Sequence, residues 1–451
     1  MQRNRSNPLS RRDFVRAAAA AGGALVAGYS QSMGAAAGPA VARGAVPDKP
    51  IRFGVIGCGG RGRGACREAM QSGPNVKLVA AADLYDDKLA DIQKMMKDLV
   101  QLDPKYCFKG PDAYKKLLEM DLDYVILATP PNYRPVHFPA AIAAGKHVFM
   151  EKPVAVDPVG IRKMLAAGEQ ADAKKLCVVA GTQRRHEASY IETIKRIHAG
   201  EIGKVLSMQV YWNSGQLWYK EREPGWSDDE WMHRDWVNWC WLSGDHVVEQ
   251  HVHNVDVANW VLKAHPVKIT AMGGRHRRVT GDQFDFFCAD MIYPSEIHVH
   301  SECRQINGCW SSVSERAIGE KGWSDCNSKI ALFGREPKKI EAKGQSPYVQ
   351  EQADLIAAIR TGKHINETRN VSESTMSNIM IRVAAYTGKE LTWDDMLKSD
   401  LALKKPDYPL TPANIRAHIP VPGIGTKEAA KAAPKAAPKA APQAATKAAT
   451  K

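Results

Sequence analysis

The stretch FGVIGCGGRGRG (53–64) places six glycines in twelve positions directly after a hydrophobic run. Within it, Gly57-x-Gly59-x-x-Gly62 closes a strand-like segment (IRFGVIG) and opens a helical one (RGACREAMQSG) that Gly73 ends. In this order the glycines have separate tasks. Gly57 permits a tight turn, Gly59 lets backbone approach a pyrophosphate, and Gly62 lets the helix pack on the strand. Gly60 and Arg61 share that turn, and the free N–H groups and positive end of the helix favour the anion. A second strand-like run, VKLVAAAD, ends in Asp83, 21 residues beyond Gly62, where an acid meets the ribose hydroxyls of a dinucleotide. A carboxylate there disfavours a 2′-phosphate and so favours NAD over NADP, although Arg61 and Arg63 offer partners for a phosphate. The alternative is a glycine-rich turn in a cofactor-free α/β domain.

The alternation continues. Lys88 to Leu102 is helical in composition, YVILATP reads as a strand, HFPAAIAAG as a helix ending at Gly145, and KHVFMEKP as a further strand. Short apolar strands alternating with helices require a parallel sheet covered on both faces. Beyond about residue 200 the runs KVLSMQVYW, VKITAMGG, FDFFCADMIY and EIHVHSEC lengthen and partly alternate, as in a mostly antiparallel open sheet. Residues 348–388 return to helical composition. The expected fold is α/β, with a dinucleotide-binding domain over 51–180 and a substrate and oligomerisation domain over 181–424.

Charge is concentrated at the two ends. The net +13 includes five arginines and one aspartate in 1–37, and six lysines and one glutamate from 425 onward. The body between is weakly basic, which argues against nucleic acid as a partner. Ser10-Arg11-Arg12-Asp13-Phe14-Val15-Arg16, followed by a small-residue apolar run and Ala35-Ala36-Ala37, reads as a twin-arginine signal over 1–37. It implies the twin-arginine export machinery as a partner and a periplasmic location. The apolar run is too short to span a bilayer, and no other run approaches that length. Residues 38–50 read as a linker and the Lys/Ala/Pro segment 425–451 as a disordered tail. Nine cysteines, never spaced C-x-x-C, argue against structural zinc and a disulfide framework, so buried free thiols are expected.

The segment ATPPNYRPVHFPAAIAAGKHVFMEKP (128–153), together with the glycine fingerprint, resembles the Gfo/Idh/MocA oxidoreductases, named for glucose–fructose oxidoreductase and inositol dehydrogenase. The resemblance runs from about Ile51 to Trp393. It implies a Rossmann domain, a second domain with a large open sheet, and a homodimer or homotetramer. Thr129, Pro130, Asn132 and Glu151 then contact the cofactor, and Lys152 reaches both the reacting hydroxyl and the nicotinamide ribose. It also places Gln183 and Arg184 against substrate or nicotinamide. Some relatives carry twin-arginine signals and hold their cofactor through export. An exported enzyme meets no nicotinamide pool, so such a chain must retain its dinucleotide and reset within its own cycle, or pass electrons on.

In GDHVVEQHVHNVDVANW (244–260), His246, Glu249, His253, Asp256 and Trp260 follow spacings that put all five on one face of a helix. A polar stripe of this kind lines a cleft. The family's Asp-x-x-x-His falls on Glu249-x-x-x-His253, which makes His253 the general acid/base, with Glu249 or Asp256 orienting it and His246 near substrate. Glu replaces Asp at 249, and His246 and His251 are additional. His, Glu and His along a helix also admit a divalent metal, which ordinary members of the family do not need; no metal is expected.

Seven of the eleven tryptophans fall between Trp212 and Trp241. Aromatic faces stack on sugar rings, so Trp218 and Arg234 are candidate substrate residues, with core or subunit interface as the alternative for most of the rings. The expected activity is NAD-dependent hydride transfer from a ring hydroxyl of a sugar, polyol or glycoside. The rivals are a glycosidase that cycles NAD through oxidation, elimination, hydration and reduction, and a non-catalytic protein that merely retains the cofactor.

Overall fold

The computed structural model describes residues 49–97 and 102–424; the signal expected at 1–37 and the tail at 425–451 lie outside them. Strands β1 (Ile51–Ile56), β2 (Val76–Asp83), β3 (Cys107–Lys109), β4 (Tyr124–Leu127), β5 (His147–Met150) and β6 (Val178–Ala180) form one sheet in the order β3-β2-β1-β4-β5-β6. Every pairing is parallel. Period-two alternation sends Phe53, Tyr124, Ile126, Phe149 and Val179 into one buried cluster and Val125, Leu127, Val148, Met150 and Val178 into another. Both faces are therefore covered, as the near-continuous apolar strands require.

The helix Gly60–Gln71 follows β1 through the glycine turn. Gly57 has φ +98°, and a Cβ there would lie 2.6 Å from the Thr129 amide nitrogen. A Cβ on Gly62 would lie 1.9 Å from the Gly57 carbonyl oxygen, so the first helical turn seats directly on the strand end.

The second sheet uses β7 (Val205–Ser214), β8 (Lys268–Gly274), β9 (Phe286–Tyr293), β10 (Ile297–Gln305), β11 (Ser312–Gly319), β12 (Gly322–Ser324), β13 (Lys329–Leu332), β14 (Lys338–Lys339) and β15 (Leu391–Thr392). Its order is β14-β13-β12-β11-β7-β10-β9-β8-β15, antiparallel except where β10 meets β7. The long helix Thr368–Thr387 packs Met376, Ile379, Met380 and Ile381 into the core beneath it.

The chain then does something the linear division into two domains does not anticipate. The helix Pro347–Thr361 buries Leu355 and Ile356 in the core beside Phe53 and Phe149. Residues 365–367 line the edge of β6: Val178 donates to the Ile365 carbonyl at 2.8 Å, and Glu367 donates back to Val178 at 3.0 Å. The first sheet is thus completed by residues far beyond position 180. All nine cysteines are unpaired. Among the described residues no helix is long and apolar enough to cross a membrane.

The 1.9 Å approach at Gly62 yields a stability test. Gly62→Ala forces the helix off the turn and lowers stability by about 1–3 kcal/mol, the usual range for overpacking, read from the chemical-denaturation midpoint. An unchanged midpoint contradicts the close packing.

Candidate active site

The cradle is built from backbone. A Cβ on Gly59 or Gly60 would meet no protein atom within 4 Å, so this edge of the turn is open where Gly57 and Gly62 are packed. Asp83 ends β2 and accepts the Cys58 amide at 2.7 Å and the Tyr85 amide at 3.0 Å, which ties the turn to the second strand. Burial raises its pKa, and these backbone N–H groups oppose the rise. A cavity of about 700 Å³ opens here, with Gly57, Gly59, Gly60, Asp83, Thr129 and Pro130 on its walls. An open glycine turn at a helix start, with a carboxylate across from it, fits a dinucleotide. Asn132, between the cavity-lining Pro130 and Tyr133, does not itself line the cavity and keeps its Oδ1 buried without a hydrogen-bond partner.

Arg61 is turned away from this cradle. Its guanidinium pairs with Glu151, with Glu68 at 2.7 Å and with Glu351 at 3.2 Å, under the ring of Tyr348. Arg63 is likewise held by Asp91 at 2.6 Å. The sequence reading of Arg61 as a cofactor contact is therefore corrected: three carboxylates, one of them arriving from the helix Pro347–Thr361, hold the guanidinium. Burial, then the neighbouring Glu151 charge, raises the pKa of Glu351 well above the usual range.

Lys152 stands just past β5, and its Nζ donates to the Glu249 carbonyl at 2.8 Å and to Glu249 Oε1 at 3.0 Å. Strand end and second-domain helix meet at this ammonium. His253 is buried and stacks on Trp212, with ring centroids 5.9 Å apart. Burial, then the positive charges of Lys152, Arg184 and Arg61, lowers its pKa well below the ordinary value. Burial and these cations hold the imidazole in its neutral form, which leaves one ring nitrogen as a hydrogen-bond acceptor.

The single polar helix does not form. Helix His246–Glu249 ends, residues 250–251 turn, and a new helix begins at Val252. The five residues therefore point to different neighbours. Asp256 does not orient His253: it receives Arg185 Nε at 2.8 Å, Arg185 Nη2 at 3.0 Å and the Ser374 hydroxyl at 2.8 Å. Glu249 is engaged with Lys152 rather than with His253. His246 is buried under the sheet, with Nδ1 3.0 Å from the Cys303 sulfur and its ring against Phe287, so it takes no part in a substrate cleft. His251 meets the Ser301 hydroxyl at 2.7 Å in the interior. Among the described residues no cluster of three or more His, Cys, Asp or Glu is arranged to hold a metal ion.

Arg184 is paired with Glu315, which also takes the Asn254 side chain and, at 2.9 Å, the Tyr190 hydroxyl. Its charge also reaches His253. Gln183 keeps its Oε1 buried without a partner. Trp218 and Arg234, expected near substrate, line the same cavity as the glycine turn.

Sequence reasoning missed Arg134. Its buried guanidinium donates to the Glu151 carbonyl at 2.8 Å and to the Thr129 carbonyl. It thereby fixes the ends of β5 and β4 together. Burial lowers its pKa to about 10, which still leaves it charged at neutral pH. Tyr133 and His233, joined at 2.6 Å across the same cavity, were also missed. Nothing local in the sequence marks the second pair, because its partners lie 100 residues apart.

Two family models match this chain: an oxidoreductase family with an NAD-binding Rossmann fold over residues 51–180, and the GFO/IDH/MocA C-terminal domain over 190–324. The fold and the cradle define an NAD-binding oxidoreductase. The chain belongs to the Gfo/Idh/MocA family. It is 22% identical over 333 residues to an inositol 2-dehydrogenase of Acidothermus cellulolyticus, covering 73% of this chain and 87% of that one. It is 29% identical over 215 residues to a glycosyl hydrolase family 109 protein of Saccharopolyspora erythraea, covering 45% of each. The fold superposes on the aldose-aldose oxidoreductase of Caulobacter crescentus with a TM-score of 0.61 at 19% identity, over 76% of this chain and all of that one.

Two measurements follow from this geometry. Arg185→Leu strands the buried Asp256 carboxylate and lowers stability by about 3–5 kcal/mol, whereas Arg185→Leu with Asp256→Leu recovers much of it. Equal midpoints for single and double variants contradict the pairing. The depressed pKa of His253 keeps its imidazole neutral well below pH 6.5, so the acid limb of the kcat/KM profile lies below that of an ordinary histidine. An acid limb centred at the ordinary value contradicts that role.

Proposed function

We propose that this oxidoreductase removes hydride from a ring carbinol of a sugar, polyol or glycoside, using NAD that it holds tightly. The observation that carries the reading is the bond of Lys152, just past the end of β5, to Glu249 of the second domain, with the charge of Lys152 reaching the buried His253 four residues further along. The bound nicotinamide supplies a two-electron acceptor. Lys152 Nζ, oriented by the Glu249 carbonyl and carboxylate, donates to the substrate oxygen and steadies negative charge as it develops there. His253 accepts the hydroxyl proton at a ring nitrogen, and its contact with Trp212 limits where that ring can lie.

NAD rather than NADP is supported by Asp83 and by the engagement of nearby cations. Arg61 and Arg63 are paired with carboxylates, as are Lys88 and Arg234 with Asp87. A polyol-class substrate draws support from the inositol dehydrogenase relative. The twin-arginine pattern supports export to the periplasm, where a retained cofactor and an internal reset are needed. Along β9 and β10 buried and half-buried positions alternate, so among the described residues one sheet face is less covered than the other, which supports a homodimer or homotetramer.

The glycosyl hydrolase relative favours a second reading, redox-cycling cleavage of a glycoside. One assay separates the two. Purified protein with its native cofactor is given free sugars, polyols and glycosides while reduced-nicotinamide absorbance and aglycone release are followed together. A lasting rise without aglycone supports the dehydrogenase; aglycone with at most a transient rise replaces it with the glycosidase. In the productive assay, His253→Gln lowers kcat by about 10²–10⁴-fold while nucleotide binding persists. Full activity of that variant removes His253 from the mechanism.

A further inference from the structure

The cavity over the glycine turn has a roof from another part of the chain. After β7 ends at Ser214, residues 215–236 cross to the dinucleotide-binding domain, and Trp218, Trp226 and Trp236 line the same cavity as Gly57, Gly59 and Asp83. The crossing is pinned beyond β2. Arg234 pairs with both carboxylate oxygens of Asp87 at 3.1 Å. Its guanidinium lies between two rings, 4.3 Å from the centroid of Tyr85 on the domain side and 5.0 Å from that of Trp226 on the roof side. Glu230, one helical turn back, holds Arg234 Nε at 2.8 Å and fixes the fork. A second pin joins His233 to Tyr133 at 2.6 Å. The segment is braced internally as well: Trp231 Nε1 donates to the Lys220 carbonyl at 2.8 Å, and the Lys220 amide donates to buried Asp235 at 2.7 Å.

We propose that residues 215–236 form a retaining strap over the adenosine half of the dinucleotide, locked by Arg234 layered between Tyr85 and Trp226 and paired with Asp87. A dinucleotide seated on the glycine turn and Asp83 lies under this roof, and its exit requires the lock to part. The lock has two physical components. The Arg234–Asp87 pair is partly exposed and is screened by salt. The planar stack on Tyr85 and Trp226 suits arginine, and lysine cannot reproduce it. Retention is therefore assigned to a strap carried by the chain's own second domain.

This inference rests on the reading of the chain as a holder of a dinucleotide, and its test is made without any sugar. Holoprotein is mixed with excess isotope-labelled NAD, and the exchange of bound for labelled nucleotide is timed. For the unaltered chain, exchange is slow and quickens with added salt. Arg234→Ala quickens it at least tenfold, and Arg234→Lys also quickens it although the charge is kept. Asp87→Arg combined with Arg234→Asp exchanges more slowly than either single change. Asp87→Asn, a surface change, serves should Arg234→Ala fail to fold, and is expected to quicken exchange as well. Equal exchange rates for the unaltered chain and these variants overturn the strap. Slow exchange in a chain that oxidises no carbinol overturns the proposed function alone. Rapid exchange in a chain that oxidises one overturns the strap and the tight hold on NAD, and leaves hydride transfer standing.

Discussion

The carbonyl groups at the ends of β4 and β5 converge, and the buried guanidinium of Arg134 holds both. Without a cation there, two strand ends would present buried acceptors to each other with no donor between them. With it, Thr129 and Glu151 are locked in register, and Lys152, the next residue, leaves the sheet in a fixed direction. Reach does the rest. The ammonium spans the domain boundary to Glu249, so the second domain's placement of His253 is referred to the first domain's strand ends.

Around that centre, charges are held in buried or half-buried pairs: Arg61 with Glu68, Glu151 and Glu351, Arg184 with Glu315, Arg185 with Asp256. Pairs of this kind add little net stability over apolar packing, but a missing partner is severe. Their value here is geometric. Each guanidinium joins elements distant in sequence, and Arg61 and Arg184, with Lys152, bring positive charge to His253, while among the described residues no carboxylate is bonded to it. The result is an imidazole kept neutral by burial and by its neighbours' charge rather than by a hydrogen-bonded acid.

Legibility in the sequence follows the range of the interaction. The glycine turn and Asp83 could be read because each glycine answers a local need, a positive φ at Gly57 and a close contact at Gly62. Lys152 and His253 could be singled out because their motifs are contiguous. The break at residues 250–251 could not be read: neither glycine nor proline marks it, and the spacing of the polar residues argued for one continuous helix. Asp256, His246, Trp218 and Arg234 were misplaced for the same reason, since tertiary partners at Arg185, Cys303 and Asp87 decide where they point. The short strands β12 to β15 carry too few residues for their alternation to stand out.

The helix Pro347–Thr361 and the edge residues 365–367 complete the first sheet although they are separated from it by the whole second sheet but for β15. During synthesis from the N-terminus, β1 to β6 emerge early, yet Glu351, which pairs with Arg61 behind the glycine turn, emerges some 290 residues later. The nucleotide-binding half therefore cannot mature as an independent unit on the ribosome. It must wait for the chain to return, and a nascent protein stopped before residue 361 lacks the piece that closes its oldest domain.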